Sequence, residues 1–346
     1  MPSRVELLTF HRRLALLFAP LLFLQALTGM ALLFKAELSR LTVPTPSERP
    51  NVAQELPLSS LAFAAAQVPG YRVSRIFLPA TTRDMVFAQL IGADGRTSRY
   101  AAVDPGNGRV LAVGPIWRFP AEAALQLHYR LNYERIGMAI VLLNAVALFL
   151  MSTTGTLYWW PGRQKITKAL AIRPTAAPRA RLRQWHRSIG VILMPLVFFS
   201  SVTGALLIIP DLAAPAGPTA VAQSPPIAEE IDRAFARAKD VFPNAATRDI
   251  RFSTADRIDV NFWAPRHNSQ AVDTVSVRLS DAALLKSVPA ENNSALWITV
   301  LPLHSGTAMG FLGRSLLVLE GLTLLVLAVT GPRMWWQARR PKRTIS

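Results

Sequence analysis

The segment 181-RLRQWHRSIGVILMPLVFFSSVTGALLIIP-210 starts with basic residues and passes through Trp185-His186-Arg187 into an apolar run. That run holds Pro195 and ends at Thr203-Gly204. The same grammar stands at 10-FHRRLALLFAPLLFLQALTGMALLF-34: an aromatic residue, His11-Arg12, an apolar run with Pro20, then Thr28-Gly29. The two copies are 175 residues apart at every matched position. A second pair, 127-LHYRLNYERIGMAIVLLNAVALFLMSTTGTLYWWPGR-163 and 303-LHSGTAMGFLGRSLLVLEGLTLLVLAVTGPRMWWQAR-339, repeats at an offset of 176. Leu-His, an apolar run, Thr-Gly and Trp-Trp recur in it. The chain therefore reads as a tandem duplication in which each half carries two His-headed apolar segments.

Composition sets the class. Of 346 residues, 51% are hydrophobic and the mean hydropathy is +0.27. An apolar helix of about 20 residues crosses a bilayer core of about 30 Å, so the expected spans are 12–35, 136–160, 187–209 and 313–336. The expected fold is an α-helical membrane protein of four transmembrane helices with two small α+β domains between them. Its divisions are span 1 (1–35), domain 1 (36–127), span 2 (128–163), a connector (164–184), span 3 (185–210), domain 2 (211–303), and span 4 with a basic tail (304–346).

The formal charge of +17 could suggest nucleic acid, but its distribution excludes that reading. Segments 1–13, 161–187 and 332–346 hold 16 Lys and Arg against one acid, Glu6, while the two long loops are near neutral. Short basic flanks of apolar spans belong on the cytoplasmic side. Both termini are then cytoplasmic and both loops lie outside, and the first span reads as a retained helix rather than a cleaved leader. There is no cysteine, which excludes disulfides, Fe–S clusters, thiolate haem and Cys zinc sites.

Within the loops, 36–50 and 213–226 read as linkers. Residues 58–67 and 227–243 read as amphipathic helices. Strands are expected at 71–79, 85–92 and 98–105, and again at 248–253, 257–265 and 271–280. The stretch 121–137 is helical in character, which puts His128 on a helical extension of span 2.

Topology sorts the histidines. His11 and His186 head spans 1 and 3 at the inner level, and His128 and His304 head spans 2 and 4 at the outer level. Each level takes one histidine from each half. Two facing imidazoles can hold a haem iron axially, and Arg12, Arg130 and Arg187, with Arg13 and Arg135, could pair with propionates. The expected cofactor is haem b, two per chain, each bis-His. Two histidines per level are too few for a closed zinc site. His267 has no matched partner and reads as an ordinary loop residue. Glu320, matched by Asn144, with Gln25 and Ser200 at a similar depth, forms a polar layer inside the spans that reads as interhelical glue, or as a proton or quinol site. Trp159, Trp160, Trp335 and Trp336 read as interfacial anchors. Met138, Met194 and Met309 read as core packing.

The Trp-His-Arg heading a span, the Thr-Gly at its end, the 103-VDPGNGRVL-111 turn and the Trp-Trp-Pro-Gly closing span 2 resemble the PepSY-associated transmembrane proteins. This family, often called iron-regulated membrane proteins, includes FoxB-like siderophore reductases. In the second loop, 273-DTVSVRLSD-281 lacks the Asp-Pro-x-x-Gly turn. The resemblance implies an inner-membrane di-haem protein that passes electrons outward to reduce ferric siderophores in the periplasm, with His11, His128, His186 and His304 as ligands. No G-x-G-x-x-G segment is present, so the donor would be a quinol or a separate cytoplasmic reductase. Two other classes remain open: a membrane-anchored regulator of a periplasmic peptidase, and a haem or metal permease.

Overall fold

The computed structural model describes residues 3–44, 46, 56–79, 81, 84–95, 97–214 and 227–339. In chain order the first half holds α1 (Arg4–Leu33), α2 (Lys35–Thr42), α3 (Leu58–Ala65), β1 (Tyr71–Phe77), β2 (Val86–Gly92), β3 (Ser98–Val103), β4 (Val110–Gly114), α4 (Pro120–Arg130) and α5 (Glu134–Trp159). The short helix α6 (Ile166–Leu170) lies in the connector. The second half holds α7 (Pro178–Ala213), α8 (Ala228–Val241), β5 (Thr247–Thr254), β6 (Arg257–Trp263), β7 (Val272–Arg278), β8 (Leu284–Val288), α9 (Leu296–His304) and α10 (Gly310–Arg339). The chain divides into two compact units. One is Met1–Leu33, Ala124–Ala213 and Leu303–Ser346; the other is Phe34–Ala123 and Ala214–Pro302.

Among the described residues, four helices of the first unit are long and apolar enough to cross a membrane, and the protein is a multi-pass membrane protein. A bilayer core has no water to satisfy backbone groups, so each run closes its hydrogen bonds internally as a helix. The helices outrun the apolar stretches. α1 starts at Arg4 and α7 at Pro178, because Arg-rich heads also favour helix, and proline at the first turn loses no bond. Internal Pro20, Pro195 and Pro332 are accommodated. α1 and α7 each pack against both α5 and α10, which closes a ring of four helices.

The second unit is one antiparallel sheet in the order β4-β3-β2-β1-β5-β6-β7-β8. The two loops thus do not make two separate domains. Each forms a four-stranded meander, and the meanders join where β1 pairs with β5 through Arg75↔Arg251, Ile76↔Ile250 and Phe77↔Asp249. Left alone, each meander would expose β1 or β5 as an open edge, and pairing removes both edges. Alternation along the strands puts Ile76, Val86, Leu90, Ile250, Ile258, Phe262 and Val275 on one face under α3 and α8, in a single core drawn from both loops. The Ser59 backbone N–H donates to the Asp232 carboxylate at 2.9 Å, tying α3 to α8. Phe262→Ala should cost about 3–5 kcal/mol and lower the melting temperature of the whole sheet unit in a calorimetric scan, since Phe262 is fully buried there.

Three local expectations change. The stretch read as a linker from residue 36 begins with α2, and Val43, just after it, packs against Tyr100 and Ile116; residues 45, 47–50 and 215–226 lie outside the described residues. Strands β4 and β8 add to those legible in the sequence. The turn 104-DPGNG-108 precedes β4: the Gly106 N–H donates to the Asp104 carboxylate at 2.8 Å, and Gly108 sits at φ +73°. The third change is at His128. α4 ends at Arg130, and Leu131, Asn132 and the first residue of α5, Glu134, all take positive φ, so His128 is not on an extension of span 2. Gly137 allows this break: a Cβ there would lie 1.7 Å from the Arg130 carbonyl oxygen. The matched Gly313 receives the Gly306 carbonyl, where a Cβ would lie 2.1 Å from the oxygen.

Candidate functional site

Each of the four matched histidines is seated against a Thr-Gly pair on a neighbouring helix. His11 on α1 meets α5, with Nδ1 3.1 Å from the Met151 carbonyl and 3.4 Å from the Thr154 hydroxyl. His128 meets α1, 3.1 Å from the Gln25 carbonyl and 3.2 Å from the Thr28 hydroxyl. His186 on α7 meets α10, 2.8 Å from the Thr330 hydroxyl. His304 meets α7, 3.0 Å from the Thr203 hydroxyl. The glycines make room for the rings: a Cβ at Gly29, Gly155, Gly204 or Gly331 would lie 2.9, 3.2, 3.3 or 3.6 Å from the Cε1 of His128, His11, His304 or His186.

These contacts set the tautomer. Each threonine hydroxyl gives its proton to the carbonyl four residues back in its own helix: Thr28 to Leu24 at 2.8 Å, Thr154 to Leu150 at 2.6 Å, Thr203 to Phe199 at 2.8 Å and Thr330 to Val326 at 2.8 Å. The hydroxyl oxygen then faces the ring as an acceptor. The Met151 and Gln25 carbonyls can only accept. So Nδ1 carries the proton at every site, and Nε2 keeps its lone pair for a Lewis acid.

The histidines also pair. The His128 and His304 rings lie 6.2 Å apart, centre to centre, tilted by 41°. Two imidazoles on opposite sides of one metal ion, with metal–nitrogen bonds of about 2.0–2.1 Å and about 1.1 Å more from each nitrogen to its ring centre, sit about 6.2–6.4 Å apart. The observed spacing fits. His11 and His186 are seated in the matching way, against α5 and α10. Among the described residues, no three of His, Cys, Asp and Glu gather to hold a bare metal ion. A two-histidine site suits a group that brings its own remaining ligands.

The arginines read as propionate partners are placed unequally. Arg130 lies over the Tyr129 ring and donates to Glu134 at 3.4 Å. Arg187 donates to the Ala171 carbonyl at 3.5 Å. Both keep a buried Nε–H with no hydrogen-bond acceptor, a donor open to an anionic group. Arg12 and Arg13 are exposed, and Arg135 donates to the Leu212 carbonyl instead.

The polar layer is half formed. Ser200 donates to Glu320 at 2.9 Å between α7 and α10, and Glu320 is 3% exposed. In the other half Gln25 donates to the Leu127 carbonyl at 3.3 Å, and the buried Asn144 Oδ1 has no donor. Met138 packs with Val141 and Ile208, while Met309 is exposed.

The Thr-Gly pairs were legible as places where helices or a cofactor come close, and the glycines do admit the rings; that Thr28, Thr154, Thr203 and Thr330 meet the histidines was not legible. Gly137 and Gly313 recur at the matched offset, and their role needs the chain break to be seen. Replacing Thr203 with valine removes the Nδ1 acceptor at nearly constant volume. If the His128/His304 pair binds haem, as expected from the sequence, its affinity should then fall roughly 10–100-fold, read by titrating haem into the purified protein.

A search of curated proteins finds no match. The family model of the PepSY-associated TM region matches residues 8–338. That stretch takes in all four spans, the four histidines with their Thr-Gly seats, and both meanders of the sheet; the chain belongs to the PepSY-associated TM family.

Proposed function

We propose that the protein is a di-haem b electron carrier of the bacterial inner membrane that reduces ferric siderophores on the periplasmic side. The observation that carries this reading is the His128–His304 pair, spaced as two axial ligands of one metal and held with Nε2 available. His11 and His186, seated in the same way, supply the second level. Along α1, His11 and the Thr28 that seats His128 are 17 residues apart, which at about 1.5 Å per residue separates the levels by roughly 25 Å. The matched halves support descent from a tandem duplication, and the basic flanks support cytoplasmic termini with the sheet unit outside.

When bound, haem would supply a one-electron couple. The chain's own part is positional. The threonines hold the rings and their Nδ1 protons, the glycines admit the rings, and the apolar spans keep water from the path. Haem held between His128 and His304, with an imidazole from each half, would serve electron transfer rather than oxygen chemistry. Fe²⁺ is bound far less well than Fe³⁺ by hard oxygen ligands, so one electron delivered outward releases the iron. The donor class is a quinol or a cytoplasmic reductase.

The test is the oxidised and dithionite-reduced absorption spectrum of detergent-purified protein with a haem count. Low-spin b-type bands at about two haems per chain support the reading. A colourless protein after expression with ample haem overturns it and favours a peptidase-regulating anchor. Haem that binds without redox turnover favours a permease.

A further inference from the structure

The sheet face turned away from α3 and α8 carries a charge imbalance at its centre. Ile76 and Ile250 point into the core, so their neighbours Arg75, Asp249 and Arg251 point the other way. Arg75 and Arg251 are direct cross-strand partners, a like-charged pairing that strands disfavour. Asp249 lies among them with no exposed surface. It meets Arg75 at 2.8 Å, Arg251 at 3.6 Å and Arg248 at 3.7 Å, and accepts from Asn261 at 3.1 Å. Three guanidiniums share one carboxylate, a surplus of two positive charges. The next acid on this face, Asp259, is taken by Arg257 at 3.4 Å and by Ser253 and Ser276.

This surplus is costly to the fold. Burial, with Arg251 and Arg248 adding to it against the pull of Asp249, brings the Arg75 guanidinium down to about 10. It stays charged at neutral pH, but its charge is poorly compensated. The Asp249 Oδ2 is buried without a hydrogen bond. Aromatic rings flank the cluster. Arg248 lies 5.0 Å from the Trp263 ring centre and 5.3 Å from that of Trp297, and Arg75 lies 4.3 Å from that of Phe77. Guanidiniums stacked on aromatic rings, with more positive charge than the fold balances, suit an anionic ligand with flat faces. The Arg251 side chain is 52% exposed, so the cluster is reachable.

We propose that Arg75, Arg248 and Arg251 form the docking site for an anionic, oxygen-liganded ferric chelate of the catecholate type. The proposal rests on the siderophore-reductase reading, and it names the charge class of that substrate and the residues that select it.

The test uses full-length protein and redox-inert gallium(III) chelates, so that binding is read apart from electron transfer. A gallium tris-catecholate trianion is compared with an uncharged gallium trihydroxamate by equilibrium dialysis. The trianion should bind and the trihydroxamate should not. Arg251→Gln should weaken trianion binding about tenfold, the loss of one charge-assisted contact, and Arg248→Gln should act in the same direction. Melting curves establish that each variant is folded. Equal binding of the two chelates, no binding of either, or an unchanged affinity in folded Arg251→Gln overturns the proposal. Nanodiscs with and without phosphatidylglycerol separate the chelate from an anionic lipid headgroup. If Arg251→Gln changes lipid binding and leaves chelate binding alone, the proposal also falls. Haem content is measured in parallel. Arg251-dependent chelate binding in a haem-free protein would sink the electron-transfer reading and leave this site standing. Arg251-independent binding in a haem-loaded protein would sink this site alone.

Discussion

On the di-haem reading proposed above, His304→Ala should leave about one low-spin haem per chain instead of about two, and should abolish electron delivery to the outer side. His304 shares its level only with His128, whose ring centre lies 6.2 Å away, so the lost axial ligand has no substitute there. The surviving centre should be the one at His11 and His186, which other helices seat through Thr154 and Thr330. His11→Ala should give the complement, with the outer centre retained. Potentiometric titration followed at the reduced b-type band would show one midpoint in each variant, and the midpoints should differ. Loss of both centres from either variant would mean that the four histidines act as one interdependent site, and the pairing would be wrong.

Gly137→Ala should be among the most damaging single-methyl changes in the membrane unit, at more than about 3 kcal/mol. An added Cβ would lie 1.7 Å from the Arg130 carbonyl oxygen, and backbone cannot swing aside as a side chain can. The displaced segment is the one that turns α4 back so that His128 reaches Thr28. Gly313→Ala should do the same to His304 through the Gly306 carbonyl. Thermal unfolding in detergent gives the stability loss, and the haem count gives the displaced ligand. Gly190→Ala is the control, since its nearest neighbour is a flexible Leu327 side chain at 3.7 Å. If Gly137→Ala melts like Gly190→Ala, the close approach at Arg130 is not what positions His128.

The spans, the matched histidines and their two levels were legible in the chain. Hydropathy is a local property, and a 20-residue apolar run has few ways to satisfy its backbone in lipid. In the loops α3, α8 and six of the eight strands were also legible, because α8 and strands such as β2 and β6 carry their own periodicity. What escaped was contact between distant parts. His11 and Thr154 are 143 residues apart, His186 and Thr330 are 144 apart, and only packing makes them neighbours. The break after Arg130 was hidden because positions 121–137 have helical composition, and the constraint that breaks them is the room at Gly137.

By itself, the sequence determined that this is a four-span membrane protein with paired histidines at two depths, since periodicity, charge asymmetry and a repeat at a constant offset are all written along the chain. The tertiary structure alone decided that the two loops share one sheet, that threonines set the imidazole tautomers, and that Arg75 and Arg251 face each other across the central strand pair. The reason is physical. Register between strands about 175 residues apart, and hydrogen bonds between separate helices, depend on which surfaces exclude water together, and no local window of residues contains that information.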